Sequence, residues 1–560
     1  MLRRAIICAL FAGLFVASGV AGAATTPVVR GQTLVPGVIY SRQVEFTAHG
    51  PVVIHVISAP KPVGLYGLKP VLSNNTIIGR ERVTSMQKRV SGDATVAGVN
   101  GDLFSFTDGH PTGGLIRGGI LDSAPVDFRS TVGIDTDGVL HVERVRMAGT
   151  WQGSGQRRIL GINELPRANR TTLYTRAWGP RTPAENGGAQ AIIQPFPATK
   201  PNTPLTGVVT QYVSGGNQPI PANGAVLVAR GTQAGFLSAE APIGANVTVL
   251  LTLTPPWANV LEAIGGGPVI VRDGKPVFRS LEGFTTDQLA YRHPRTGVGQ
   301  TADGRIMLVA VDGRQPGYST GLTNFELALT MMRLGCVTAS ALDAGGSTTM
   351  AFDGKLLNRP SDPGGERAVA EALTLFYYGV YEPALPARVL SPNADGVDDA
   401  QVFSYKLVRP STVTASLLGP GGVVVPLDSG SKGPGLFKFN WTGAGQPEGA
   451  WTFRTIADDD LGRHSTADRQ FGLNNTLGFL AARASHRRFT GSFKLARAAR
   501  VALRVETPGG GIVKTLATRN LSAGDGTISW RGRPGSYVFS ATATNEVGAV
   551  ELTAPFRLRR

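Results

Sequence analysis

Short runs in which apolar and polar residues alternate fill most of the chain. Several end at an Asp-Gly pair: Asp137-Gly138, Asp273-Gly274, Asp303-Gly304 and Asp353-Gly354. Alternation with a period of two buries one face of a strand, and Asp-Gly readily adopts the positive-φ conformation of a tight hairpin. The pattern predicts strands at 52–57, 95–99, 337–342 and 350–352. Helical spacing is clearest over 324–334, where Phe325, Ala328, Leu329 and Met332 share a face and Thr323 with Glu326 gives a capping-box signature. The stretch 184–224, rich in Pro, Gly, Asn and Gln, is expected to form long loops. The fold class expected is α+β, a β-rich mixed α/β domain followed by an all-β tail.

That tail repeats itself. Tyr405-Lys-Leu407 recurs as Phe493-Lys-Leu495, Pro420-Gly-Gly422 as Pro508-Gly-Gly510 and Trp441-Thr-Gly443 as Trp530-Arg-Gly532, at an offset of 88 or 89 residues. At a slightly shorter offset, the alternation of 451–458 matches that of 537–544. Alternating strands at this period, with no helical signal, read as two β-sandwich modules, 401–472 and 473–560. They resemble the Ig-like domain of flagellar hook-capping proteins, and a spacer or anchor is the role expected of them. A linker, 384–400, precedes them and carries Ser391-Pro-Asn-Ala-Asp-Gly-Val-Asp-Asp399. There Asn393, Asp395, Asp398 and Asp399 offer hard oxygen ligands for a structural Ca²⁺, although an Asx-rich turn explains the same residues.

Length and composition widen the picture. A chain of 560 residues exceeds one core, and Gly 73, Pro 37 and 17% charged residues suit many strands and turns. Arg3 and Arg4, an apolar run over 5–20 and Ala21-Gly-Ala23 form the pattern of a secretory signal, 1–23. An exported protein is therefore expected: secreted, periplasmic or at the cell surface, with no membrane span once the signal is cleaved. Cys8 would leave with the signal, and Cys336, beside an apolar strand, reads as a small core residue. The net charge of +16 suits adhesion to anionic wall or envelope polymers. Nucleic acid is the other acidic partner, but no basic helix, zinc-finger spacing or aromatic-basic interleaving favours it.

The stretch Cys336-Val-Thr-Ala-Ser-Ala-Leu-Asp-Ala-Gly-Gly-Ser-Thr-Thr-Met350 is the most informative. A buried strand ends there in a lone carboxylate, Asp343, followed by glycines that let a ligand approach the backbone. The neighbouring runs Arg295-Thr-Gly-Val-Gly299, Val311-Asp-Gly-Arg314, Gly321-Leu-Thr-Asn-Phe-Glu-Leu327, Pro360-Ser-Asp362 and Arg367-Ala-Val369 stand around it. Upstream are Val99-Asn-Gly-Asp-Leu-Phe104 and Gly265-Gly-Gly-Pro-Val269. In this order the runs resemble the phosphodiester glycosidase family, across about residues 40–383, within a domain assigned to 24–383. Ala344 stands where the family usually has the first of three glycines.

The resemblance implies a hydrolase that cleaves the glycosidic bond of a sugar 1-phosphodiester, such as one of N-acetylglucosamine, with no cofactor required for catalysis. Glycosidic cleavage passes through an oxocarbenium-like state, usually between two carboxylates. Asp343 is expected to act as base, nucleophile or electrostatic stabiliser, and Asp312 as the second carboxylate. Arg295 and Arg367 are the expected phosphate clamp. Asn100, Asp102, His293, Gly345, Gly346, Ser347 and Thr348 complete the candidate substrate site. Glu326 is explained by its cap, and Gly265–Gly267 is a weak phosphate-loop signal because no helix start follows. A non-catalytic polysaccharide-binding or envelope-assembly protein is the alternative. Metalloprotease, ATPase and esterase signatures are missing from the sequence.

Overall fold

The computed structural model describes residues 28–184 and 188–560. The expected signal segment and Cys8 lie outside the described residues.

The first domain is built on an eight-stranded antiparallel sheet. Its spatial order is Val28–Val35, Val38–Thr47, Gly50–Ala59, Ile306–Val311, Arg295–Thr301, Cys336–Ala341, Val269–Arg272 and Lys275–Pro276. The central strands are buried on both faces, which is why they read as apolar runs. One face packs against the helix Asn324–Arg333 through Val52, Ile54, Val309, Leu327 and Met331. The other face meets a five-stranded sheet that contains Thr95–Asn100, Met350–Phe352, Glu371–Tyr377 and Tyr66–Leu72. Leu308, Ala310, Val99, Met350 and Leu373 fill that interface. A second helix, Val83–Val90, covers the outer face of the smaller sheet with Val83 and Met86.

Between Thr95–Asn100 and Val269–Arg272 the chain leaves this stack to form two further sheets around Trp151, Leu173, Leu227 and Val249. The expectation of long loops over 184–224 is corrected here: strands Ala189–Ile193 and Leu205–Ser214 pair with each other inside that stretch. Their glycines and prolines lie mostly in the connections, so composition hid the pairing. All four Asp-Gly pairs join antiparallel strands. The helix at 324 begins with the expected capping box: Glu326 N donates to Thr323 Oγ1 at 3.2 Å, and Thr323 N donates to Glu326 Oε2 at 2.8 Å. Its buried face differs from the expected one. Leu327, Ala328 and Met331 are inside, whereas Phe325 and Leu329 are exposed, because apolar residues encircle the helix and spacing alone could not choose between them. Cys336 is buried, as expected, and burial pushes its thiol up to about 12.

The tail forms two sandwiches. The first pairs Gln401–Leu407 with Gly435–Trp441 beneath a sheet of five strands, around Phe403, Tyr405, Trp451 and Phe453. The second has sheets of three and four strands around Phe489, Phe493, Val501 and Phe539. The repeats occupy corresponding places: Tyr405 and Phe493 on one strand, Trp441 and Trp530 on the strand paired with it. The segment 384–400 is more than a linker, since Val389–Leu390 adds a strand beside His464–Leu473. Asp399 accepts hydrogen bonds from the backbone N–H groups of Asn393, Ala394 and Gly396, and Asp395 Oδ2 accepts from Phe479 N at 2.6 Å. Asp399 closes the turn on itself, and Asp395 fastens it to the second sandwich. Among the described residues no group of three or more His, Cys, Asp or Glu side chains is placed to hold a metal.

The first sandwich also grips the first domain. Arg469 donates to Glu382 O and, at 3.4 Å, to Leu34 O, while Arg463 donates to Gly64 O at 3.1 Å and lies over Tyr378. Tyr381 and Lys406 exchange backbone hydrogen bonds at 3.1 and 2.7 Å. Among the described residues no helix is long and apolar enough to cross a membrane.

Candidate active site

Asp343 lies two residues beyond the end of Cys336–Ala341. Three backbone hydrogen bonds hold the loop that carries it: Leu342 N to Thr296 O at 2.9 Å, Asp343 N to Gly101 O at 3.0 Å and Gly345 N to Pro294 O at 3.0 Å. Gly345 adopts a φ of +67, which a side chain would strain, and Gly345–Ser347 turns as a single 3₁₀ step. The carboxylate is thus fixed on a rigid mount at the wall of a cavity of about 160 Å³. At roughly 30 Å³ per water molecule, that space equals about five waters, room for one sugar-sized group rather than a chain of sugars.

Burial pushes the Asp343 carboxyl up to about 6, against the opposing pull of the Ser347 hydroxyl and the Ala344 N–H. Ala344 N donates to Asp343 Oδ1 at 2.8 Å. Negative charge on Asp102 adds to the upward shift, and Arg367 opposes it. A carboxyl so placed is mostly ionised at neutral pH yet basic enough to accept a proton.

His293, Arg314 and Asp287 also line the cavity. Arg314 donates to His293 Nδ1 from Nε and Nη2 at 3.2 and 3.1 Å. Because a guanidinium can only donate, Nδ1 must accept, which leaves the imidazole proton on Nε2, 3.3 Å from Asp287 Oδ1. Arg314 crosses directly over Gly345, where an added Cβ would stand 3.1 Å from its Nη1. A buried carbonyl oxygen, Asn324 Oδ1, has no hydrogen-bond partner and belongs to another lining residue.

Several sequence-level expectations need correction. Asp312 does not line this cavity. Its carboxylate is buried and accepts from Tyr318 OH at 3.1 Å, Asn358 Nδ2 at 3.1 Å and Arg359 N at 3.0 Å, with His55 Nε2 at 3.0 Å. With its lone pairs engaged it ties strands together. Arg295 reaches the cavity wall, but its guanidinium donates to the carbonyls of Leu322, Gln288 and Tyr291 at 2.8, 2.6 and 2.7 Å. Burial pushes its pKa down to about 10. It clamps the 288–295 segment rather than a phosphate.

Asn100 is likewise internal: Nδ2 donates to Asp343 O at 2.8 Å, and Oδ1 accepts from Thr296 Oγ1 and Thr349 N. It positions the Asp343 backbone and has no contact left for a sugar. Asp102 is buried against Arg129, whose Nη2 donates to both carboxylate oxygens at 2.9 and 2.6 Å. That pair packs against Gly113 and Gly265, where any Cβ would collide with the Asp102 carboxylate, which gives Gly265 a packing role. Ser347 and Thr348 are buried within the loop, the Ser347 hydroxyl acting on the Asp343 carboxyl. Arg367 pairs with Asp362 at 2.8 and 3.1 Å and lies against Gly346, within reach of the Asp343 charge but off the cavity wall. Arg314 and Asp287 were not singled out from sequence. Arg314 closes the Val311-Asp-Gly-Arg314 run, and Asp287 follows a Thr cap, so both carried a signal that the neighbouring Asp312 and Arg295 obscured.

Residues 202–376 match the model of the family described as phosphodiester glycosidase. The match lies within the first domain and covers about a third of the chain. The matched span contains Asp343, Arg314, His293 and Asp287, while Asn100 and Asp102 precede it. Over 108 residues, 19% of this chain, the sequence is 40% identical to the SPbeta prophage-derived uncharacterized protein YomE of Bacillus subtilis (strain 168). The chain spans only 16% of that curated relative's length.

Two solved structures share the fold of the first domain. A hypothetical protein from Synechocystis is 23% identical, with 63% of this chain and 64% of that one covered at a TM-score of 0.53. A protein of Burkholderia pseudomallei K96243 is 19% identical, with 63% and 96% covered at 0.51.

Proposed function

We propose that the chain hydrolyses the glycosidic bond of a sugar 1-phosphodiester, with Asp343 as the general base that activates water at the sugar carbon. The observation that carries this reading is a rigidly held carboxylate, raised to about 6, that shares a small cavity with the Arg314 guanidinium. A phosphate monoester leaves as a stabilised anion and needs little protonation, so one base and a cation for the phosphate are enough. Arg314, held by His293, supplies that cation. Asp287 fixes the imidazole and is the second carboxylate of the cavity. The substrate is an N-acetylglucosamine-like phosphodiester of envelope or extracellular glycans, and the protein is exported with its mature chain starting at Ala24.

The test is free-sugar release from a methyl N-acetylglucosamine-1-phosphate diester by the chain from Ala24, beside Asp343→Asn. Turnover lost in the variant, with an unchanged circular dichroism spectrum, supports the assignment. Equal turnover removes Asp343 from the mechanism. No turnover by the parent over a panel of sugar phosphodiesters favours a glycan-binding protein. Export is checked by the N-terminal sequence of the protein recovered outside the cytoplasm, where a start other than Ala24 rejects the proposed cleavage.

A further inference from the structure

Among the described residues the two most exposed large apolar side chains are Leu281, at 80%, and Phe278, at 78%. Both belong to the segment 277–285, which leads into Phe284 at the wall of the Asp343 cavity. The backbone of this segment is pinned. Glu282 is buried, and its carboxylate accepts from Ser130 N, Ser130 Oγ and Val269 N at 2.7, 3.0 and 2.9 Å. Arg144 Nη2 donates to Ser280 O and Leu281 O at 2.6 and 2.5 Å. Leu281 itself has a φ of +56, a conformation that a leucine adopts only under strain. The fold therefore holds an aliphatic side chain out into solvent against its local preference, next to the site.

Other apolar side chains join these two to the cavity. The Phe278 ring meets Phe325 edge to face, with centroids 5.3 Å apart and planes at 82°, and Phe325 follows the cavity-lining Asn324. Phe128, 57% exposed, lies against Gly283, where an added Cβ would stand 2.8 Å from its ring. From Phe284 the helix Thr286–Ala290 continues the wall with Asp287 and Gln288 and ends beside the exposed Tyr291. Asp287 is 3.3 Å from His293, which accepts from Arg314, so the apolar rim begins on the side where the leaving phosphate is proposed to sit. Single exposed apolar side chains are ordinary, but a group of them at the rim of a site marks what the site binds. Sugar rings stack on open aromatic faces. Here the most exposed member is aliphatic, and Phe278 and Phe325 are turned edge to face, which suits a flexible hydrocarbon chain better than a ring.

We infer that Phe278, Leu281 and Phe128 form a shelf for the aglycone, so that the substrate is a sugar 1-phosphodiester of a long-chain alcohol, with its sugar in the cavity and its hydrocarbon chain along the shelf. The inference rests on the proposed cleavage for the places of sugar and phosphate, but its test needs no turnover. Binding of the decyl and methyl diesters of N-acetylglucosamine 1-phosphate, the decyl one below its micelle concentration, is measured by calorimetry on the full chain carrying Asp343→Asn. The decyl diester is expected to bind at least about tenfold tighter than the methyl one. Adding Phe278→Ser with Leu281→Asn, the latter a residue that tolerates positive φ, should remove most of that preference and leave methyl binding within about twofold. Phe278→Ala with Leu281→Gly repeats the test should the first pair melt early. Equal affinity for the two diesters, binding of neither, or a preference that survives both pairs overturns the shelf. Binding of the parent to phosphatidylglycerol vesicles that the same pairs abolish, without any decyl preference, overturns it too and gives these residues to a membrane surface. A decyl preference that depends on the shelf, in a parent chain that cleaves neither diester, keeps the shelf and rejects the glycosidase reading.

Discussion

Asp343 and Asp312 enter the fold in nearly the same way, each just past a buried strand and each followed by glycine within two residues. Their surroundings then diverge. Asp312 is met by His55, Tyr318, Asn358 and the Arg359 N–H, while Asp343 takes one backbone hydrogen bond and borders a cavity. A carboxylate whose lone pairs are all matched is a joint; one that is buried and under-matched is available for chemistry. Strand-end placement cannot separate the two, because their partners come from residues remote in sequence.

The largest effect that would sharpen this contrast is on turnover. Asp343→Asn should lower kcat by about 10³-fold or more while the chain stays folded. Asp312→Ala should act mainly on stability, costing about 3–5 kcal/mol in urea unfolding because His55 and the other donors lose their acceptor. If Asp312→Asn instead abolished turnover without moving the urea midpoint, the distinction would collapse. Arg295→Ala belongs with Asp312: it leaves three carbonyls unpaired and should cost on the order of 3 kcal/mol, with little change in KM of the molecules that remain folded.

A smaller and more specific effect concerns pH. With Asp343 as base and its carboxyl at about 6, kcat/KM should fall as pH drops through 6 and stay level from 7 to 8. A fall centred near 4 would assign the reaction to an unperturbed carboxylate. Stability runs the other way. A carboxyl raised on folding binds its proton more tightly in the native state, so its contribution is complete below the unfolded pKa and is lost as pH rises through the folded one. Asp343→Asn should therefore weaken the decline in melting temperature between pH 4 and 7. The smallest effect is expected at Glu371, whose buried carboxylate has no hydrogen-bond partner and whose pKa burial raises well above the usual range. Glu371→Gln should change stability by less than about 1 kcal/mol, and least at low pH, since burial already favours the neutral side chain.

Much of the fold was legible because it is local. Asp-Gly pairs mark hairpins wherever they fall, the Thr323–Glu326 pair marks a helix start, and the repeated Tyr, Phe and Trp positions mark equivalent strands of the two sandwiches. The paired strands inside 184–224 were not, because their alternation is interrupted by turn residues and their partners lie elsewhere. At the site, the run around Asp343 could be picked out from its own residues and its family likeness. The roles of Arg295, Asn100 and Asp102 could not, since each is set by which carbonyl or cation lies opposite after folding. Arg314 stands in the Val311-Asp-Gly-Arg314 run, but its place against His293 is likewise set only by folding.

The grip of Arg463 and Arg469 on the first domain, with the backbone exchange between Tyr381 and Lys406, leaves no free joint between that domain and the first sandwich. The first sandwich would carry the cavity as a bracket carries a lamp, at a set angle to itself. Any scanning of a surface would then fall to whatever holds the bracket.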